Sequence, residues 1–521
     1  MTDETDRPGS GGLKSIGLSR SEALLLLLLV LLALGLRVYA LGRDSLWLDE
    51  ICQVLASDHS VWQTVLRSAQ DNGNTPLDYV VTSLALRVGR SEGVLRLPAA
   101  LWGTLSVAVL YALGREMFDK RTGFLAAFLL TIMPMHVYYS RELRFYSLSI
   151  FLTLLSLYAF VRALDRDART AWVAYGAATL LALYSHYYVL VVVGVEGVWL
   201  LWSVCSKRRS RPVLARFMIA AGIAVLLFLP WVGYDMYYEQ VYKGGLLDTG
   251  FRFTFPPIAN LLGGLFVRGI RASLLSPSAW FVGLAWVLIA VGGALALRRR
   301  SPSDEFTILL IAVMLAGMAA VLLLDYIASY FFATRQLVVY TPVAILVVSA
   351  AFLRLFRAAH SWLARKANGQ TAEAATIVCL AVLSVLALWQ PLSSIYTARK
   401  EDWRGAARYL LQHVEADDVL VAYTTPHLGF YLPELTSQMR SLRADPAYLE
   451  EMARSFSRVW IFDVDYLSRN RFPRVVEWIQ EQQLVAAPFG DTWLRIYVYS
   501  QKVSRDELLE DVSRPGPRAG K

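Results

Sequence analysis

Eleven stretches of this chain stay apolar over about the 20 residues that a helix needs to cross a bilayer. They lie near residues 22–41, 94–114, 122–138, 145–163, 171–186, 187–205, 213–232, 279–297, 306–324, 336–353 and 374–391. The pattern predicts an α-helical polytopic membrane protein with about eleven spans. The segments between the spans alternate in character. With the N-terminus in the cytoplasm, "GREMFDKR", "VRALDRDAR", "SKRRSRP", "RRRSP" and "RLFRAAHSWLARK" share one side, and every one is basic. That is the bias expected of cytoplasmic loops. The opposite segments, "SLWLDEICQ", "MHVYYSRELRFY", "YSHYY", "WVGYDMYYEQVYKGG" and "DYIASYFFATRQ", are aromatic and hold the conspicuous acids and histidines.

Two regions break the alternation. The first outer loop, 42–93, is too long for a simple connector. Its amphipathic stretches "VWQTVLRSAQ" and "PLDYVVTSLALRVG" read as helices lying at the interface, with Trp47 and Trp62 as anchors. Reading the second of them as a twelfth span would invert every later loop against the charge rule. After the membrane domain, 21–391, the composition turns to that of a soluble domain over 392–502. "WRGAARYLLQHV" has helical period, while "DVLVAYTT", "RVWIFDVD" and "WLRIYVYS" read as strands. The expectation is a small α/β domain, placed outside the cytoplasm by an odd number of spans. The ends, 1–20 and 503–521, read as disordered tails. The run "ALLLLLLVLLALGL" is long for a signal-peptide core and reads as a retained first helix.

Composition agrees: 56% of residues are hydrophobic and 18% charged. The net charge of +9 comes from Lys and Arg bunched between apolar runs. Such bunching marks topology and gives no stripe for nucleic acid. Cys52, Cys205 and Cys379 are scattered, with neither disulfide nor metal-ligand spacing. No glycine-rich nucleotide motif is present.

The candidate chemistry gathers on the outer side. Asp49 and Glu50 stand at a water–membrane boundary beside Trp47, where a carboxyl of raised pKa can act as general base; the alternative is a pair of solvated loop acids. Arg141, Glu142 and Arg144 stand among Tyr138, Tyr139 and Tyr146, suiting a phosphate or pyrophosphate; interfacial snorkelling is the alternative. Arg335, with Gln336 as a neutral donor, offers a second phosphate contact, unless Asp325 is simply its ion-pair partner. His186 reads as a hydrogen-bonded interfacial residue rather than a metal ligand, since no second histidine stands at ligand spacing. Lys243 sits in a glycine-bearing loop that could serve as a lid. No cofactor is required and no metal cluster is visible, so a divalent cation is unsupported. Together these residues suggest transfer of a group from a lipid phosphate to an acceptor outside the cytoplasm; a transporter or a scaffold is the equal alternative from spacing alone.

The order "SLWLDE", "NGNTPLDYVVTSLALRVGRSEGVLRLPAALWGTLSVAVLYALGREMF", "TIMPMHVYYSRELRFYSL", "YFFATRQLVVYTP" and "KEDWRGAARYLLQHV" resembles the bacterial GT-C glycosyltransferases. These are relatives of the protein O-mannosyltransferases and the lipid A aminoarabinose transferase. The resemblance implies an enzyme of the plasma membrane that moves a hexosyl or pentosyl group from a polyprenyl-phosphate carrier to an acceptor of the cell envelope. That acceptor is a glycan, lipid or protein, and the transfer usually proceeds with inversion. It implies Asp49 as base, Glu50 orienting it or the acceptor, and Arg141, Glu142, Arg144 and Arg335 around the donor phosphate. Many relatives read His-Pro-Pro-Leu or Asn-Pro-Pro-Leu where this chain has "NTPLDY", which bears on acceptor positioning near Asn74 and Asp78. The rival readings are a lipid or glycan flippase and a ligase or polymerase with a pyrophosphate-linked donor.

Overall fold

The computed structural model describes residues 18–71, 74–243, 255–267, 276–299, 301–327, 333–363, 369–398, 400–423, 425–464, 472–482, 484–486 and 494–513. The membrane part comprises α1 (Arg20–Val38), α2 (Leu48–Ser57), α3 (Val61–Ser68), α4 (Leu77–Val88), α5 (Glu92–Met117), α6 (Lys120–Ile132), α7 (Pro134–Tyr139) and α8 (Tyr146–Arg166). It continues with α9 (Arg169–Leu183), α10 (Val189–Cys205), α11 (Arg211–Lys243), α12 (Ile258–Gly263), α13 (Pro277–Arg299), α14 (Pro302–Ile327), α15 (Thr341–Leu363) and α16 (Gly369–Thr397). Each of the eleven apolar runs is helical. Among the described residues, eight helices are long and apolar enough to cross a membrane, and α10 is a shorter apolar helix. The protein is a multi-pass membrane protein.

Local chemistry sets the boundaries. Ser19 caps α1, its hydroxyl accepting from the Glu22 amide while the Glu22 carboxylate accepts from the Ser19 amide. Asp119 caps α6 through the amides of Arg121 and Thr122. The run expected as one span over 122–138 is two helices, because Pro134 has no amide hydrogen to continue the ladder. The carbonyls freed at this break are met by a buried cation: Arg37 of α1 donates to Leu130 and Thr131 at 3.3 and 3.4 Å. The break turns the chain so that 140–145 forms a compact turn ahead of α8.

The two amphipathic stretches of 42–93 are helical, as α3 and α4, and α4, with 12 residues, is too short to span. A 3₁₀ turn, Thr334–Tyr340, leads into α15. It packs where α14 has no side chain: a Cβ on Gly317 would run into the ring of the buried Tyr340. Gly317→Leu is therefore expected to displace this turn, lowering both the melting temperature in detergent and any activity that depends on Arg335. A thermal melt of the purified variant beside its activity checks this.

The C-terminal domain is α/β, as expected. Its helices are α17 (Trp403–His413), α18 (Thr425–Tyr431), α19 (Ala447–Ser455), α20 (Pro473–Glu481) and α21 (Arg505–Ser513). Its strands are β1 (Val419–Ala422), β2 (Met439–Ser441), β3 (Val459–Val464), β4 (Val485–Ala486) and β5 (Leu494–Tyr499), in the order β2-β1-β3-β5-β4. β1 runs parallel to β2 and β3, and β5 is antiparallel to β3 and β4. Alternation along β3 sends Val459 and Ile461 to a core with Trp478 and Leu449. Trp460 and Phe462 go to the other face. That second core also contains Leu46, Ile51 and Val54 from around α2, Leu95 of α5 and Leu143 of the turn after α7. The C-terminal domain and the 42–93 segment thus share one hydrophobic core. The tail expected over 503–521 is corrected in part: α21 buries Leu508 and Val512, accepts a hydrogen bond from Tyr409 at the Val512 carbonyl, and pairs Asp511 with Arg458. Residues 1–17 and 514–521 lie outside the described residues.

Candidate active site

The first turn of α2 carries the acidic pair, and a helix sends neighbouring side chains about 100° apart. Asp49 turns toward Arg335. Its side chain is 26% exposed, and Oδ2 lies 3.2 Å from Nη1 of Arg335. Arg335 rises from the 334–340 turn with its guanidinium 5.8 Å from the ring centre of Trp47. That turn is fixed by Gln336, whose side chain accepts from the Ala333 amide at 2.7 Å and donates to Asp325 at 2.8 Å. Asp325 therefore meets Gln336, and Arg335 meets Asp49. Burial pushes the Asp49 carboxyl above the ordinary aspartate value; Arg144 and Arg335 offset only part of that.

Arg144 is buried beneath this pair. Nη1 donates to Oδ2 of Asp71 at 2.6 Å and to the backbone carbonyl of Asp49 at 3.0 Å. Asp71 also accepts from the Tyr79 hydroxyl at 2.5 Å, and its carbonyl accepts from the Asn74 amide. Desolvation lowers the charge preference of Arg144, yet Asp71, Tyr79 and Asp49 hold it firmly protonated. Tyr146 opens α8 with its ring 4.7 Å from that of Tyr139, within electrostatic reach of Arg335, Arg144 and Asp49. The structure thus brings together Asp49, Arg144, Arg335 and Tyr146.

The other expected residues build the frame. Glu50 turns inward and is fully buried, with Nε and Nη2 of Arg96 at 2.8 and 2.5 Å and the Leu143 amide at 2.7 Å. Burial raises its carboxyl, but Arg96, Lys400 and these hydrogen bonds outweigh that and hold it at about 2. Arg96 also ties the carbonyls of Leu41, Asp44 and Ser45. Arg141 donates to the carbonyls of Leu36, Arg37, Tyr39 and Ala40, which α1 leaves open at its C-terminal end, and covers the ring of Tyr396. Glu142 is buried and pairs with Lys400 at 3.0 Å. Arg141 and Glu142, expected around a donor phosphate, are engaged here by a helix end and a lysine. Asn74 closes a backbone turn on Asp71. Asp78 is buried, accepts from Gln53 at 2.5 Å, and is raised to about 6 by desolvation against the pull of Gln53 and Arg144. His186 stacks between Phe145 and Tyr188 and accepts the Tyr188 amide at Nδ1. Lys243 ends α11, while its side chain and the loop 244–254 lie outside the described residues. Among the described residues no group of three His, Cys, Asp or Glu side chains is placed to hold a metal ion.

Sequence reasoning missed Asp71, Tyr79 and Arg96, which carry no local motif. It also missed a contact between domains: Sγ of Cys52, one turn beyond Asp49 on α2, lies 2.9 Å from Nε2 of His427 on α18. Burial pushes the thiol up to about 12 and the imidazole down to about 4. The pair is a neutral thiol against a neutral ring, which is no activated nucleophile.

The chain superposes on ArnT from Cupriavidus metallidurans in the apo state with a TM-score of 0.59 at 13% identity, covering 92% of this chain and 98% of that one. This is the GT-C fold. The same fold is seen in ArnT bound to undecaprenyl phosphate, with a TM-score of 0.56 at 13% identity over 92% of this chain and 99% of that one. It is seen again in the oligosaccharyltransferase AglB from Archaeoglobus fulgidus in complex with an inhibitory peptide and a dolichol-phosphate, with a TM-score of 0.56 at 12% identity over 92% of this chain and 74% of that one. The family described as dolichyl-phosphate-mannose-protein mannosyltransferase matches residues 74–234, from the segment before α4 into α11. No curated protein matches by sequence. The resemblance to the PMT- and ArnT-like GT-C proteins drawn from the motifs is therefore carried by both the fold and this family match.

Proposed function

We propose that this GT-C protein is a glycosyltransferase that takes a sugar from a polyprenyl-phosphate donor and passes it to an acceptor on the outer side of a bacterial plasma membrane. The observation that carries the reading is the Asp49–Arg335 pair. A carboxylate of raised basicity and a guanidinium stand 3.2 Å apart, both about one-quarter exposed, one in the first turn of α2 and the other in the turn that leads into α15. Neither is part of the buried frame. The acceptor hydroxyl attacks the anomeric carbon and gives its proton to Asp49. The bond from that carbon to the phosphate oxygen breaks on the opposite face, and the carrier leaves as a phosphate monoester with one more negative charge. Arg335, with Arg144 behind it, stabilises that charge. Attack from one face and departure from the other inverts the anomeric centre.

The resting ion pair links the two steps. A donor phosphate competes with Asp49 for Arg335, and loss of that guanidinium removes one of the groups that hold the carboxyl down. Donor binding thereby strengthens the base. Guanidinium groups meet the phosphate charge. ArnT bound to undecaprenyl phosphate and AglB bound to a dolichol-phosphate support a lipid-phosphate donor. Basic loops on one side and the aromatic, acidic loops on the other support an outer location for the C-terminal domain.

Membranes containing the protein are expected to transfer label from one member of a panel of radiolabelled polyprenyl-phosphate sugars to an endogenous acceptor. Arg335→Gln is expected to cut the maximal rate by about a hundredfold or more, the usual loss for one donor to a developing oxyanion, and Arg335→Lys to retain part of it. Transfer by Arg335→Gln at the wild-type rate would remove Arg335 from the reaction. Because Asp49 must be ionised to accept a proton, and burial raises its pKa, transfer is expected to rise with pH through a value above the ordinary aspartate range. A flat profile from weak acid to neutrality would contradict that.

A further inference from the structure

The "KEDWRG" stretch joins the last apolar helix to the C-terminal domain, and most of its groups serve docking. The Glu401 carbonyl accepts from Ser45, and its carboxylate from the indole of Trp403. Asp402 caps α17 through the Gly405 amide. Arg404 pairs with Glu92 and donates to the Arg43 carbonyl. Lys400 differs. Its ammonium donates to Oε1 of Glu142 at 3.0 Å and lies 5.1 Å from the ring centre of Tyr138. An ammonium has three N–H bonds, and among the described residues Glu142 alone accepts one from it. The side chain remains 18% exposed, whereas Glu142 is buried with Oε2 unpaired.

Position gives this spare capacity a purpose. Lys400 stands three residues beyond Thr397, the end of α16. Tyr138 belongs to α7, which packs against α16 on one hand and against the 334–340 turn that carries Arg335 on the other. Glu142 lies in the same turn as Arg144, which holds the Asp49 carbonyl. A cation with free donors, backed by an aromatic face and anchored at the end of a membrane helix beside the acid–arginine cluster, suits the phosphate ester of a membrane lipid. Lysine meets such a group as a point charge with rotatable donors.

We propose that Lys400 is a second lipid-phosphate contact, reaching the phosphate from the α16 side while Arg335 reaches it from the 334–340 turn. The inference rests on the glycosyltransferase reading and names a residue of that same site. Lys400 then also reports docking of the C-terminal domain to the donor, because the residues that follow it are the ones that fix that domain.

The test uses the full-length protein in detergent, with undecaprenyl phosphate and phosphatidylglycerol as probes and native mass spectrometry as the readout. Lys400→Gln is compared with Lys400→Arg and with the double variant Lys400→Gln/Glu142→Gln, which removes both charges of the pair and so leaves no buried carboxylate unpaired. Loss of one charged phosphate contact is expected to weaken undecaprenyl phosphate binding by about tenfold or more in both the single and double variants, with Lys400→Arg within about threefold of wild type. Wild-type binding by the folded double variant would overturn the proposal and leave Lys400 as a mere counter-charge for Glu142. Binding lost in Arg335→Gln but intact in Lys400→Gln would overturn it while sparing the glycosyltransferase reading. Failure of the wild type to bind undecaprenyl phosphate would overturn both. Equal, Lys400-dependent binding of phosphatidylglycerol would support a lipid-phosphate contact and assign it to bilayer headgroups in place of the carrier.

Discussion

Asp49→Asn is expected to slow sugar transfer by about a hundred- to ten-thousand-fold, the range that a positioned general base contributes. The amide keeps the size of the side chain and loses both the charge and the basic lone pair. Because Arg335 loses its partner, donor affinity is expected to hold or to rise, so the loss falls on the maximal rate. Asp49→Glu, which moves the carboxylate by one methylene, is expected to keep a small fraction of activity. Steady-state rates with labelled donor, on samples matched for melting temperature, check both variants. If Asp49→Asn transferred within about threefold of wild type, the base would have to be sought elsewhere.

The second large effect concerns folding. Glu50 and Arg96 form a buried pair with further bonds to the Leu143 amide and the carbonyls of Leu41, Asp44 and Ser45. Removing one partner strands the other charge in a dry interior, at a cost of roughly 3–5 kcal/mol. Glu50→Ala is therefore expected to express poorly, melt early and lose transfer through loss of the frame. The double change Glu50→Leu/Arg96→Met is expected to recover part of the melting temperature, since no charge is stranded. Linkage adds a direction with pH. The Glu50 carboxyl is held at about 2, below its ordinary value of 4.5, so its stabilisation is complete above the ordinary value and fades as pH falls toward 2. Melting curves of the wild type and Glu50→Gln should converge over that acid window and separate above it.

The contrast between Asp49 and Glu50 marks how far the chain could be read unaided. Both acids were legible as outer-side candidates from the charge of the flanking loops. Their division of labour was not, because it depends on which way each projects from α2, and that is decided by Arg96 and Arg335, 46 and 286 positions away. The same limit applies to Arg335: Asp325 is the partner that the sequence offers, and the 334–340 turn gives Asp325 to Gln336 and Arg335 to Asp49. Spans were legible because length and apolarity are local. The break after Ile132 was hidden inside an apolar run whose Pro134 is tolerated through Arg37, a residue of another helix. In the C-terminal domain β1 and β3 are readable as buried runs and β5 as the strand that ends the pattern, whereas β2 and β4, of three and two residues, are too short to show a period. α21 reads as tail because only Leu508, Leu509 and Val512 of its nine residues are apolar.

In the proposed reaction a bond to carrier phosphate is broken and a sugar is passed on. One measurement addresses it directly: reconstituted full-length protein is given a polyprenyl-phosphate sugar carrying one label in the sugar and another in the phosphorus. The expected result is separation of the labels, with the sugar on the acceptor in inverted anomeric configuration and the phosphorus in polyprenyl monophosphate. Both labels crossing the membrane together in intact donor, or separation with pyrophosphate-linked donors alone, would contradict it.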